Sequence, residues 1–244
     1  MRPGPLNYKR ICSFVLPTVV ILSACQQVSA SDHLSTDSLT VSSNIENYHQ
    51  IISLKNETES VNETGIPETN YTYSVTEATL FPEDTIGYGS RIEKGSALTP
   101  SKTSIYGSEE AAYQQVNSGE WFPSATVGPL YSTIEVYPYE TFVKIATLFE
   151  QKGRVTETKD AYVISYYGID EEIQREVSEI LQQFPSTGTT YDVVITLTKD
   201  NHYIQDVAFV TEVTNNEKNQ TVTQEIKAAF SKHNMNVPKE LNMN

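Results

Sequence analysis

The chain has 244 residues, a formal net charge of −14 and two cysteines. That length suits one domain of ordinary size with extra segments, and an apolar share of 38%, under the usual ~45–50%, implies that part of the chain stays unpacked. The acidic balance argues against nucleic-acid binding, which needs clustered Lys and Arg, and two cysteines make neither a disulfide framework nor a four-cysteine zinc site.

The N-terminal stretch carries only positive charges, at Arg2, Lys9 and Arg10, before an uncharged run from Ile11 to Ala24. A basic region followed by a short apolar one is the layout of a secretory signal. The run falls short of the ~20 residues that span the hydrocarbon core as a helix, and no later segment approaches that length. It ends Leu22-Ser23-Ala24-Cys25, which resembles the lipobox of bacterial lipoproteins: an aliphatic residue, two small residues, then cysteine. Small residues admit the backbone to a protease, and the thiol takes a diacylglyceryl group as a thioether. Residues 1–24 are thus expected to be cut between Ala24 and Cys25, removing Cys12 and leaving Cys25 as the lipidated terminus at the outer, extracellular face of the cell membrane. The remaining chain has 14 basic residues against 31 acidic ones, a charge of −17. Such a chain is repelled by an anionic membrane surface, so acyl chains, at about 0.8 kcal/mol per buried CH₂, carry the attachment.

Residues 25–70 are expected to form a flexible polar tether, because Ser, Thr, Asn and Glu dominate and bury too little to offset chain entropy. Within it, Ile45, Tyr48, His49 and Ile52 fall near one helical face, so 44–54 reads equally as a short helix. The globular part is expected over 71–244. Tyr71–Thr76 is rich in strand formers. Ile105-Tyr106 and Ala112–Val116 read as strands, Asn117-Ser118-Gly119 as a turn, and Glu120-Trp121-Phe122 as the return.

A first helix is predicted over Pro138–Lys152, with Pro138 at the first helical position and Gly153 past the end. A second is predicted over Glu171–Phe184, capped by Asp170, with Glu171 and Glu172 complementing the dipole and Pro185 ending it. Between them, Arg154–Thr158 and Ala161–Tyr167 form a hairpin turned by Lys159-Asp160. Tyr191–Thr198 and Tyr203–Val213 follow as strands about a Lys199-Asp200-Asn201 turn. Thr221–Ser231 fits strand or helix, and the preceding Asn215-Asn216 turn favours strand. The sum is an α+β architecture, an antiparallel sheet with helices on one face.

The order of these parts, from the lipobox and polar stretch through Gly119-Glu120-Trp121, the helix Phe142–Phe149, Thr158–Ile164 and the closing Phe230, Asn234 and Val237-Pro238-Lys239-Glu240, resembles a Gram-positive lipoprotein family related to the mycobacterial LppX/LprG and LolA carriers. The resemblance covers about residues 71–242. It implies a curved antiparallel half-barrel with two or three helices across one face, and an acyl or other apolar ligand held between sheet and helices. It supplies no residue-level binding motif.

The helix stripes supply the candidate cavity lining: Phe142, Ile145, Leu148 and Phe149 on the first, Ile173, Val177, Ile180 and Phe184 on the second. The same residues serve equally as ordinary core. His33, His49, His202 and His233 have no metal-ligand spacing, and no nucleophile elbow, phosphate loop or dinucleotide fingerprint appears. No catalytic residue, metal or cofactor is therefore expected. Glu109-Glu110 reads as a solvated turn, and Trp121, the single tryptophan, as a strand-end anchor in the core, with a carbohydrate platform as the alternative. The fifteen tyrosines fit β-propensity, or a stacking surface. Two function classes stand: a membrane-anchored protein that binds or carries an apolar or lipid ligand, and a non-catalytic surface protein that contacts cell-wall polymer, host or partner protein.

Overall fold

The computed structural model describes residues 40–62, 64–84, 86–108, 111–124, 132–182 and 187–234. All belong to one compact unit, Ser38–Asn244. Strands β1 (Tyr48–Val61), β2 (Pro67–Phe81), β3 (Ile86–Gly95), β4 (Leu98–Gly107), β5 (Ala112–Val116) and β6 (Phe122–Ser124) precede helix α1 (Tyr139–Lys152). The hairpin β7 (Arg154–Glu157) and β8 (Ala161–Gly168), helix α2 (Glu171–Leu181), then β9 (Thr190–Thr198), β10 (Ile204–Asn215) and β11 (Gln220–Ser231) complete the order. The eleven strands form one open antiparallel sheet, in the order β6-β5-β4-β3-β2-β1-β11-β10-β9-β8-β7.

The structure corrects the tether. Tyr48–Val61 is the middle strand of the sheet, with five strands on either side. It pairs with β2 along its whole length and with β11 from His49 to Ser60. The segment 44–54 is therefore strand from Tyr48 onward, not helix. Its composition misleads because neither side of Lys55–Ser60 is apolar, yet its backbone groups are paired on both edges and need no apolar face. The part of the expected tether before Thr40, with Ala24 and Cys25, lies outside the described residues.

Strand β3 and the first part of β4, before Ile105, are not among the expected strands. Their Gly, Ser and Thr content hides the alternation, and one glycine is required. A Cβ on Gly89 would sit 2.3 Å from the Glu77 carbonyl oxygen of β2, so only glycine lets the two strands approach there. The predicted strands from Tyr71 onward are present, and Thr221–Ser231 is strand. The return after Gly119 begins at Phe122 rather than Glu120.

Antiparallel pairing assigns the faces, since directly opposed residues share one. Tyr48, Ile52, Leu80, Ile105, Val193, Ile195, Val207, Phe209, Ile226 and Phe230 point inward and join the buried faces of both helices in one core. The helices therefore lie on one face. Pro138 is the cap of α1 rather than its first residue and offers no side-chain cap. The Tyr48 hydroxyl takes the Tyr139 N–H instead, at 3.2 Å. Asp170 caps α2 as predicted, accepting from the N–H groups of Glu172 (2.8 Å) and Ile173 (3.0 Å). The α2 helix ends at Leu181, with Gln182 in the left-handed region. The two edge strands, β6 and β7, are only three and four residues long, which limits unwanted edge pairing.

Candidate functional site

Of the eight predicted lining residues, Phe142, Ile145, Leu148, Phe149, Ile173 and Val177 are buried in the core, and Ile180 packs against it half-buried. Phe184 lies outside the described residues. Phe142 meets Phe230 edge-on at 5.4 Å and Tyr137 at 6.0 Å, while Phe149 packs on Tyr166 and Phe209 at 5.3 and 6.3 Å. The stripes thus join the buried core between helices and sheet. Val177 borders a hollow of about 180 Å³, which it shares with Asn56, Tyr191 and Phe209.

A larger hollow of about 650 Å³ lies where the segment before β1 meets the start of α1. Its lining includes Glu46, Glu83, Glu135 and Glu140, with Tyr48 and Tyr139 at its floor. Burial raises the Glu135 carboxyl above its ordinary range, opposed by a hydrogen bond from Tyr48 and assisted by the nearby Glu140 charge. The Tyr139 hydroxyl, which accepts the Ile204 N–H at 2.8 Å, is pushed up to about 12, chiefly by burial. Beside this hollow the segment after β11 is clasped to the segment before β1. Asn234 donates its N–H to the Asn47 carbonyl at 2.9 Å and accepts from the Glu46 N–H at 3.0 Å. The His233 ring sits against Tyr203 and Tyr139, at 5.0 and 6.3 Å.

Past the helices, the inner sheet face is exposed to half-buried among the described residues. Asn56, Thr58, Asn70, Thr72, Thr211 and Gln224 stand there, lining the 180 Å³ void and a second hollow of about 300 Å³. Sequence reasoning missed this surface because it treated β1 as tether. The available signal was the alternation in Lys55-Asn56-Glu57-Thr58-Glu59-Ser60, charged and uncharged by turns.

The histidines do not converge. His49 is on β1, not in a tether, with Nδ1 3.0 Å from the Thr79 hydroxyl. His202 lies at the β9–β10 turn against Tyr162. His33 and Glu109-Glu110 are outside the described residues. No cluster of three His, Cys, Asp or Glu able to hold a metal occurs among the described residues. Trp121 is not a core anchor: it is 40% exposed, beside Phe122 at 42%, at the start of the edge strand β6. No helix among the described residues is long and apolar enough to cross a membrane. No protein-family model matches the chain, and no curated protein matches it.

Proposed function

We propose that this is a non-catalytic interaction protein of the cell envelope, held at the outer membrane face by diacylglyceryl-Cys25, with its sheet as the contact surface. The observation that carries this reading is the split along one sheet face. The helix-covered end is packed with the very residues that would have lined an acyl cavity, whereas the far end is open and polar. The void at Val177, about 180 Å³, is below the ~300 Å³ at which small-molecule sites begin. A lipid-carrier role is the second reading. It draws on the eleven-stranded open sheet, since sheets that wide curl, as the half-barrel of the resembled carriers does.

Cys25→Ala tests the anchor. The variant is expected in the medium, or as uncut precursor, and a membrane-bound, cut form would refute it. Native mass spectrometry of the wild-type chain separates the two readings, because an acyl chain that stays bound in the folded domain would favour the carrier.

A further inference from the structure

From the chemistry of the open end of the sheet, we infer that it is a binding shelf for an uncharged linear glycan lying across the strands. This rests on the interaction-protein reading above and names its partner class.

The shelf is two side-chain rows deep. Pairing places Thr72, Asn56, Gln224 and Thr211 side by side on β2, β1, β11 and β10. The next row is Asn70, Thr58, Val222 and Val213 on the same four strands. Neither row holds a formal charge. The outward side chains of the same strands do: Lys55, Glu57 and Glu59 on β1, Glu225 and Lys227 on β11, and Glu212 on β10. Since side chains alternate between faces, charged and uncharged positions interleave along β1; on β2 the outward Thr69, Tyr71 and Tyr73 are uncharged, and Glu68, opposite Ser60, bounds the shelf with a carboxylate on the inner face. An ordinary solvated face carries charge at ~25–35% of its positions. This one carries amides, hydroxyls and two valines instead.

Those polar groups are free to bind. The side chains of Asn56, Asn70 and Gln224, and the hydroxyls of Thr58, Thr72 and Thr211, make no hydrogen bond to protein among the described residues, although the backbones of β1, β2, β11 and β10 pair with one another across both rows. An amide offers donor and acceptor together, and a hydroxyl offers both in one atom. That set matches vicinal sugar hydroxyls, while the valines suit the C–H faces of the rings. Hollows of about 180 and 300 Å³ flank Asn56.

The spacing selects among polymers. Groups on neighbouring strands recur every ~4.8 Å, close to the rise per residue of an extended glycan. A peptide strand presents same-side groups every ~6.8 Å and binds most readily by adding to a sheet edge. Across the first row these four strands are flanked by β3 and β9, whose pairing stops at Thr72 on β2 and at Glu212 on β10. Among the described residues, the edges here without a neighbouring strand are therefore the short ends Pro67–Tyr71 and Val213–Asn215, and the uncovered half of β4 carries Pro100, which blunts it. A polyanion is disfavoured by the chain's own charge of −14.

The test is calorimetry on the full chain in detergent, titrated separately with cellohexaose, chitohexaose, dextran sulfate and an uncharged Ser/Thr/Asn peptide. The variants Asn56→Asp and Gln224→Glu keep side-chain shape, remove donors and add charge. Unfolding midpoints establish that each is folded, and Thr72→Val is the substitute for one that is not. At least one neutral hexasaccharide should bind, and each variant should weaken it tenfold or more. Chitohexaose alone would point to an N-acetylated wall-type polymer, cellohexaose to a plain glucan. Silence with both sugars, binding that ignores the variants, or tighter binding of the peptide or of dextran sulfate would overturn the inference. Anchoring is read separately through Cys25→Ala, so a silent titration with intact anchoring sinks the glycan and leaves the envelope reading standing.

Discussion

On the inner face of β1 the first half presents Tyr48, Gln50, Ile52 and Leu54, and the second half Asn56, Thr58 and Ser60. The first three are buried to within 2%, and even Gln50 is tied in, its Nε2 donating to the Ile134 carbonyl at 2.9 Å. Asn56 is exposed and Thr58 half-exposed. The backbone is the same in both halves, paired with β2 and β11 throughout. The difference is the roof: α1 and α2 cover one half and stop short of the other. Pairing on both edges is enough to hold a strand in a sheet, whereas helix cover decides which side chains it must carry.

The largest expected effect tests that division directly. Phe142→Ala, at 0% exposure beneath Phe230 and Tyr137, should cost about 3–5 kcal/mol in urea unfolding. Asn56→Ala on the open half should stay within about 0.5 kcal/mol. Comparable losses at the two sites would erase the distinction between core and shelf.

Next in size is Tyr139→Phe. It leaves the buried Ile204 N–H without its acceptor at 2.8 Å, a loss of about 1–3 kcal/mol. It should also change the alkaline limb. Tyr139 and Tyr191 are both pushed up to about 12, first by burial, so the unfolded chain loses these protons earlier. The stability they hold is complete below pH 10 and is lost as pH rises through about 12. A pH titration of the unfolding free energy should show a shallower alkaline fall in the variant.

The sequence was legible where one face is apolar. Both helices, the β7–β8 hairpin and the strands β9 to β11 follow from stripes and alternations that burial later fills, as with Val193, Ile195 and Leu197. It was illegible where burial comes from partners distant in sequence. Nothing local in Asn56–Ser60 announces that β11, more than 150 residues on, will pair with it. Glycine at position 89 reads as a breaker until Glu77 is seen against it. Seven of the eight candidate lining residues stand on the two helices, Phe184 lying outside the described residues, and periodicity alone does not distinguish a full interface from an empty one. The shelf was lost with the tether assignment, since it stands on β1.

A smaller effect falls at the boundary between the two halves. Asp170→Ala removes the acceptor for Glu172 and Ile173 and should cost about 1 kcal/mol. Because α2 ends the roof beside Val177, the loosening should be local: faster amide exchange in α2 with α1 unchanged. Uniform acceleration across both helices would mean that the roof is one cooperative unit.

The smallest effect at neutral pH concerns the clasp at the covered end. The His233 ring is packed on Tyr203 and Tyr139, and its Nε2 is buried with no hydrogen-bond partner among the described residues. Burial lowers its pKa from the ordinary 6.5. The folded state therefore favours the neutral ring, so the stability it contributes is present above 6.5 and is lost as pH falls through the lower folded value. His49 acts in the same direction, through burial and then Lys232, with Glu77 opposing. Glu135, Glu150 and Asp206, raised by burial, act oppositely, their stability being complete only below the ordinary carboxylate range. His233→Phe keeps the ring contacts and removes the titration. It should leave the neutral unfolding midpoint nearly unchanged and flatten its fall just below pH 6.5, with His49 supplying the residual slope. The Glu46 amide, which donates to Asn234 next to His233, should lose exchange protection on acidification in the wild type and keep it in the variant. Equal loss in both would place the acid-sensitive element at His49, on the outer side of the sheet, and not in the clasp.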